Sequence, residues 1–422
     1  MPSWGPWRSR PFRYVWVGES LSMVGDASYQ IVFVWLVLSI SRSPAVLAAV
    51  VVGTSVPRAV LLLLGGAVTD RVSARTVMLS SHLVRGVALA ILTALALTSG
   101  LRVWELASIG VLFGVADAFF GPASGSILPS LVQESDLPRA NALAGVSEQA
   151  ASFIGPVLGG ALLAATSSSV ALALNAVTFF LAALTILTAP RTDQSRAHRT
   201  SVAALLSEMR GGISYATRNV EVRVVVLLVS AATLSYSGLF AVGLPTLARG
   251  TSNGSLALGV MVSAWGLGQL IGAIGASITG LPRRWGLLIV AMTLAEGSCF
   301  AVLGFVPHYL LAAALLGALG IGVAYSTDVA LPTFIQTRTP RSLLGRVNSV
   351  IALPRYALEP LSVAAMGALA LLGVRWTFTT AAIPMLIAGI VLASSRTARH
   401  LSADNPSPAR GTAHDRAPST NT

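Results

Sequence analysis

The chain has 422 residues; 54% are hydrophobic, only 10% are Asp, Glu, Lys or Arg, and the formal net charge is +12. A soluble domain carries roughly 25% charged residues, so this composition excludes a soluble enzyme, a nucleic-acid binder and a disordered scaffold. All 28 basic residues are arginine. Without lysine there is no phosphate-binding Walker loop, and the single Cys299 leaves no internal disulfide, CxxC pair or thiolate metal cluster. No cofactor, metal or nucleotide is expected.

A helix needs about 20 apolar residues to cross a bilayer. Twelve such stretches follow in chain order, at 14–40, 44–68, 77–99, 103–125, 141–166, 169–190, 222–247, 255–279, 285–306, 308–334, 345–372 and 375–394. The first is long and holds Gly18, Glu19, Gly25 and Asp26, which predicts a tilt or a kink. Arg8, Arg10 and Arg13 precede it, with no obvious cleavage site. With the N-terminus in the cytoplasm, twenty-one arginines fall in cytoplasmic segments and four in outer loops. That bias predicts both termini inside. The reading is an all-α membrane protein of twelve transmembrane helices in two six-helix halves, residues 1–190 and 222–394. A cytoplasmic linker (191–221) joins the halves, and a disordered cytoplasmic tail (395–422) follows. Within the linker, residues 201–217 fit a short amphipathic helix at the inner surface. Trp4, Trp7, Trp104 and Trp376 fit interfacial anchors.

The halves share a signature. L-P-S-L-V-Q at 128–133 ends span four and L-P-T-F-I-Q at 331–336 ends span ten. Each is followed by Pro-Arg (Pro138-Arg139, Pro340-Arg341) and by an Asn entering the next span (Asn141, Asn348). An offset of six spans means parallel repeats about an axis along the membrane normal. That arrangement resembles the two halves of major facilitator transporters.

Between spans two and three, Gly65-Gly66 leads to Asp70-Arg71 and Arg75. This resembles the superfamily's G-x-x-x-D-R-x-x-x-R loop, which implies a gate. Gly66 allows close helix approach, and Asp70 caps a helix start or pairs with an arginine. The plain alternative is a tight polar turn that only obeys the charge bias. The stretch after span eight keeps a basic pair, Arg283-Arg284, but has lost the acid. In span five, Gly155, Pro156, Gly159 and Gly160 resemble the family's antiporter motif, G-P-x-x-G-G. Pro156 breaks a backbone bond and the glycines make a thin packing face. The resemblance implies an exporter driven by ion exchange; the alternative is packing alone. Residues 120–143, with Gly25-Asp26 and Arg85-Gly86, resemble the branch of macrolide efflux and enterobactin-type siderophore exporters. Many members of that branch carry an arginine where Ser124 stands, so one loop-to-helix-four ion pair is expected to be missing.

Ionisable groups within a membrane span are functional candidates by default. Glu19 and Asp26 share a face of span one. Arg58 lies in span two, Arg85 in span three, Asp117 in span four, Glu148 in span five, Glu296 in span nine and Asp328 in span ten. Arg355 and Glu359 stand i, i+4 on span eleven. A carboxylate in a partly apolar cavity can take up a proton from one side and release it to the other. Asp26 and then Glu148 are the first candidates for coupling, with Glu19, Arg58, Glu359 and Arg355 beside them in the cavity. The alternative is structural ion pairing, Asp26 with Arg58 or Glu359 with Arg355. Asp117 is expected to brace the cytoplasmic gate. Trp16, Tyr29, Phe33, Trp35, Tyr236, Phe240 and Trp265 either wall a cavity for a large apolar substrate or anchor span ends.

The expected function is a secondary transporter, not an enzyme. It sits in the cell (inner or plasma) membrane and exports a drug-like or secondary-metabolite small molecule in exchange for protons. The competing readings are an importer or lipid mover of the same fold, and a transport-inactive sensor or assembly protein.

Overall fold

Ser9 starts the first helix: its Oγ accepts from the Phe12 amide at 3.3 Å, and Pro11 sits in the first turn, where its missing N–H costs nothing. The computed structural model describes residues 5–69, 72–98, 100–190, 214, 217, 219–280, 285–339 and 344–394. α1 (Arg10–Ser41) runs as one continuous helix of 32 residues and stops at Arg42, whose φ of 57° is left-handed. α2 (Pro44–Thr69), α3 (Ala74–Thr98), α4 (Val103–Leu131), α5 (Leu137–Ala165) and α6 (Ser168–Ile186) follow. The Glu105 carboxylate accepts the Arg102 amide at 2.9 Å and closes the start of α4.

α7 (Val220–Gly238) passes through a π-helical turn, Leu239–Gly243, into Leu244–Arg249. α8 (Gly254–Thr279) and α9 (Trp285–Leu303) follow. α10 (Tyr309–Val323) also contains a π turn, Ala324–Ala330, before Leu331–Arg338. α11 (Leu344–Leu369) and α12 (Val374–Ser394) close the chain. Both π turns end one step before a Leu-Pro pair, where proline has no N–H to continue the ladder. Eleven of the described helices are long and apolar enough to cross a membrane. α5 has the length, 29 residues, but Pro138, Arg139, Glu148 and Gln149 dilute its apolar content.

The packing repeats with an offset of six helices. In the first half α1 packs on α5 and α6, α2 on α4, and α3 on α4 and α6; in the second α7 packs on α11 and α12, α8 on α10, and α9 on α10 and α12. The two seams between halves, α5–α8 and α2–α11, are exchanged by the same operation. The helix pairing thus carries the pseudo-twofold that the L-P-x-x-x-Q repeat implies.

The halves are closed against each other at one end. Arg249 Nη1 donates to the Arg42 carbonyl at 2.8 Å, Gly254 abuts the Trp35 ring, and Gly367 abuts Ala48. One buried apolar cluster spans both halves, while the opposite end of the first half has its own, from Phe12 and Val15 to Ile127, Leu131 and Ile186. Trp104 and Trp376 are exposed near helix starts, as anchors should be. Trp7 is exposed as well and sets its ring edge-on against Phe12 and Trp16.

Ser362 of α11 ties the second half together beside the α7 π turn. Its Oγ accepts the Gly238 N–H at 2.9 Å and donates to the Leu234 carbonyl at 2.7 Å, at 1% exposure. Ser362→Ala is expected to cost about 1 kcal/mol, read as a lower thermal midpoint of the purified protein in detergent. An unchanged midpoint rejects that weight for the bond. The linker proper, its amphipathic segment (apart from 214 and 217), the tail from 395, and Asp70 and Arg71 lie outside the described residues.

Candidate functional site

Midway along the helices lies a cavity of about 420 Å³ lined by α1, α2, α4, α7, α8 and α11. Each half contributes three. Asp26, Tyr29 and Phe33 come from α1, Ser55 and Arg58 from α2, Phe113 and Asp117 from α4, Phe240 from α7, Val262 from α8 and Glu359 from α11. Asp26, Arg58 and Asp117 keep 36%, 40% and 41% of their side-chain surface accessible. Charges with that exposure in the middle of a membrane bundle face water, not hydrocarbon.

Arg85 organises the charges from behind. It is 1% exposed, and its Nη1 reaches Asp26 Oδ2 at 3.4 Å while Nη2 bonds Asp117 Oδ1. The rings of Phe120, Phe179 and Phe113 surround the guanidinium, with centroids 4.8, 5.7 and 5.9 Å from Cζ. Glycines bring the supporting helices close enough. A Cβ on Gly114 would strike the Thr54 carbonyl and one on Gly110 the Phe33 ring, so α4 lies against α2 and α1 at this depth.

On the opposite wall, Glu359 Oε1 accepts from Ser55 Oγ at 3.0 Å and Glu359 Oε2 lies 4.0 Å from Arg58 Nη2. These contacts join α11 to α2 across the halves. The i, i+4 pairing of Glu359 with Arg355 is therefore corrected: Arg355 is exposed and the partners of Glu359 come from α2. Asp26 likewise meets Arg85 rather than Arg58. Three carboxylates thus share two guanidinium groups around the cavity.

Four of the sequence candidates, Asp26, Arg58, Asp117 and Glu359, line this one space. Asp117 sits here with Arg85, a correction to the expectation that it braces the loop. Glu19 lies two turns along α1, with Oε1 2.8 Å from Nε2 of His82, a residue that sequence reasoning missed. Glu148 is exposed on α5 and is not among the cavity-lining residues. Its neighbour Ser147 bonds Ser20 of α1 at 2.8 Å. Gly155, Pro156, Gly159 and Gly160 form a seam. Gly155 and Gly159 abut α1 at Val24 and Ser28; Gly160 and Pro156 abut Ser255 and Gly259 of α8.

At the loop, Gly66 lies within α2 near its end, and Arg75 donates to the last carbonyls of α6, Leu187 at 2.7 Å and Ile186 at 3.3 Å. Tyr29, Phe33 and Phe240 wall the cavity. Tyr236 and Trp265 stand behind Phe240, with Tyr236 donating to the buried Glu296 at 2.8 Å. Trp16 and Trp35 pack elsewhere, on Trp7 and Gly254. Among the described residues no cluster of three or more His, Cys, Asp or Glu is placed to hold a metal.

Residues 1–415 match the family described as transmembrane secretion effector. The chain is 27% identical over 379 residues to the multidrug efflux pump Tap of Mycolicibacterium fortuitum, covering 87% of this chain and 91% of that one. It is 28% identical over 315 residues to the enterobactin exporter EntS of Shigella boydii serotype 18, covering 73% of each. Among solved structures, the POT family transporter PepTSo superposes with a TM-score of 0.70 at 14% identity, over 93% of this chain and 98% of that one. A bacterial homologue of the iron transporter ferroportin, in an inward-facing state, gives 0.68 at 16% identity, over 92% and 99%. These structural likenesses establish the fold.

Proposed function

The chain belongs to the transmembrane secretion effector family of major facilitator transporters, and on that premise we propose that it exports a drug-like or secondary-metabolite small molecule in exchange for protons. It is a multi-pass membrane transporter rather than an enzyme. The observation that carries the proposal is the mid-membrane cavity between the halves, with Asp26 and Asp117 exposed to it and sharing the buried Arg85. An acid that shares its counter-ion and faces water can exchange a proton with a bound substrate group. The aromatic wall of Tyr29, Phe33 and Phe240 suits an apolar or aromatic ligand. Tap and EntS, both exporters by name, favour the outward direction.

The arginine distribution supports a cell-membrane protein with both termini, the linker at 191–221 and the tail at 395–422 on the cytoplasmic side. The end closed by Arg42, Arg249 and Gly254 is then the outer one, and the conformation faces inward. Switching opens that end and closes the other around the fixed cavity. Gly66, Asp70, Arg71 and Arg75 supply the inner gate, with Arg75 docked on the end of α6.

The test is ethidium accumulation in cells expressing the wild type or Asp26→Asn. The wild type lowers accumulation, a protonophore abolishes the difference, and Asp26→Asn accumulates as much as cells without the protein. Efflux that persists unchanged after the proton gradient is collapsed rejects proton exchange. Normal efflux by Asp26→Asn rejects the assignment of the coupling acid.

A further inference from the structure

A set of polar groups runs through the first half from Asp26, at the cavity, toward the N-terminal end of α1. Glu19, Ser22 and Asp26 lie on one face of α1, and His82 and Arg85 stand i, i+3 on the facing α3. His82 meets Glu19 at 2.8 Å and Arg85 meets Asp26 at 3.4 Å, so the two helices present their polar groups to each other at both levels. Ser22, His82 and Arg85 are 1%, 0% and 1% exposed. Yet Ser22 Oγ, His82 Nδ1 and Arg85 Nε have no hydrogen-bond partner, and neither has Nδ2 of the buried Asn175 on α6. Buried polar atoms are nearly always satisfied, and where the protein supplies no partner, water does. A line of such atoms between α1, α3 and α6 is a place for ordered water.

We propose that His82 and Glu19 relay the coupling proton between Asp26 and the inner face, along a route inside the first half that bypasses the substrate cavity. The proposal rests on the proton-exchange reading above. Asp26 and Glu19 are about 10 Å apart along α1, too far for one transfer, and His82 stands beside Glu19 at the far end of that interval. The protonated Asp26 carboxyl loses its proton through water to His82 Nδ1, the atom left without a partner. The imidazolium passes its Nε2 proton to Glu19 Oε1, and Glu19 releases it to solvent. The ring returns to its first tautomer by exchanging its remaining N–H through water. Every step moves one proton, and no other bond changes.

Glu19 keeps 13% of its side-chain surface exposed where His82 keeps none, which puts the mouth of the route at Glu19. The groups facing the relay are few. α1 gives Glu19 and Asp26, α3 gives His82 and Arg85, and α4 gives Asp117 through Arg85. α5 gives the Ser147 hydroxyl to Ser20, with Glu148 exposed beyond it, and α6 has no ionisable side chain. Phe120 and Phe179 pack on the His82 ring, and neither His82 nor Glu19 is among the residues that line the cavity. Proton and substrate then compete for Asp26 without sharing a doorway, which lets a bulky ligand fill the cavity without blocking proton release.

The experiment uses the full-length protein in proteoliposomes with ethidium as probe. Uptake driven by a pH gradient is compared with ethidium counterflow at equal pH, which exchanges substrate without net proton movement. Glu19→Gln and His82→Gln are expected to lower gradient-driven transport about tenfold or more while counterflow stays within about twofold of wild type. Full gradient-driven transport in both variants overturns the relay. Loss of both activities together in Glu19→Gln, the shape-preserving variant, assigns the pair a structural role and also overturns it. A wild type that moves no ethidium, or moves it regardless of the gradient, overturns the proton-exchange reading itself and the relay with it. A wild type driven by the gradient alongside undisturbed variants removes the relay alone.

Discussion

Arg85→Met abolishes transport and lowers the stability of the purified protein by about 2 kcal/mol. Breaking a buried ion pair from one side costs roughly 3–5 kcal/mol, because a charge is left unpaired. The figure is smaller here because Asp26 and Asp117 keep 36% and 41% of their side chains in water, which screens what remains. The loss of function is larger than the loss of stability. Without the guanidinium, two carboxylates from α1 and α4 face each other with no shared counter-ion and repel. A site that has lost the group joining its two acids no longer holds them in place for exchange with substrate. Arg85→Lys keeps the charge but not the two-pronged fork that reaches both acids, so it recovers most of the stability and little of the transport. Asp117→Asn added to Arg85→Met removes one of the two repelling charges and recovers part of the lost stability. Thermal melting in detergent and ethidium efflux in cells read the two effects separately. Wild-type efflux by Arg85→Met would sink the central role given to this residue.

How much of this site was legible in the sequence depends on the length scale of each feature. Eleven of the spans follow from apolar runs alone, because a bilayer demands them of any helix that crosses it; α5, diluted by Pro138, Arg139, Glu148 and Gln149, is recognised by its length and place in the repeat. The six-helix offset followed from two copies of one short motif, and the helix pairing repeats with that offset. Asp26 and Glu359 stood out because a carboxylate in hydrocarbon needs a reason. Their partners did not. The partner of Glu359 on paper was Arg355, one turn away; the folded chain offers Ser55 and Arg58 from the other half instead. Spacing along one helix says which residues share a face, but not which helix lies opposite. Arg85 is the same case, visible as an arginine in span three but not as the link between α1 and α4. His82 carried no signal of its own: a lone histidine in an apolar helix becomes informative only when a second helix brings Glu19 to it. The position of Glu148 on an exposed face shows the converse, an acid that spacing alone could not separate from those in the cavity.

Gly160→Val is the second large effect, and it acts on conformation rather than on charge. A Cβ on Gly160 would lie 2.5 Å from the Ser255 carbonyl, and one on Gly259 opposite would lie 2.5 Å from the Pro156 carbonyl. Backbone meets backbone here, so no side chain can turn aside to make room. The seam exists because Pro156 leaves its turn short of a donor and the glycines let α5 and α8 approach to backbone distance. Valine therefore forces α5 and α8 apart where the two halves meet, and the end held by Arg42 and Arg249 opens with them. Folding within each half is left intact, since α5 still packs on α1 through Gly155 and Gly159. A shift of about 1.4 kcal/mol moves a two-state equilibrium tenfold, and a backbone collision of this kind costs at least that. The readout exploits the single native cysteine. In a Cys299→Ser background, a cysteine placed at 48, buried at this end against Gly367, reacts slowly with a membrane-impermeant maleimide when Gly160 is present. Its labelling rises about tenfold with Gly160→Val, while the melting temperature changes little and ethidium efflux is lost. Unchanged labelling in a variant that no longer pumps would show that the seam acts on the cavity itself, not on the closure of this end.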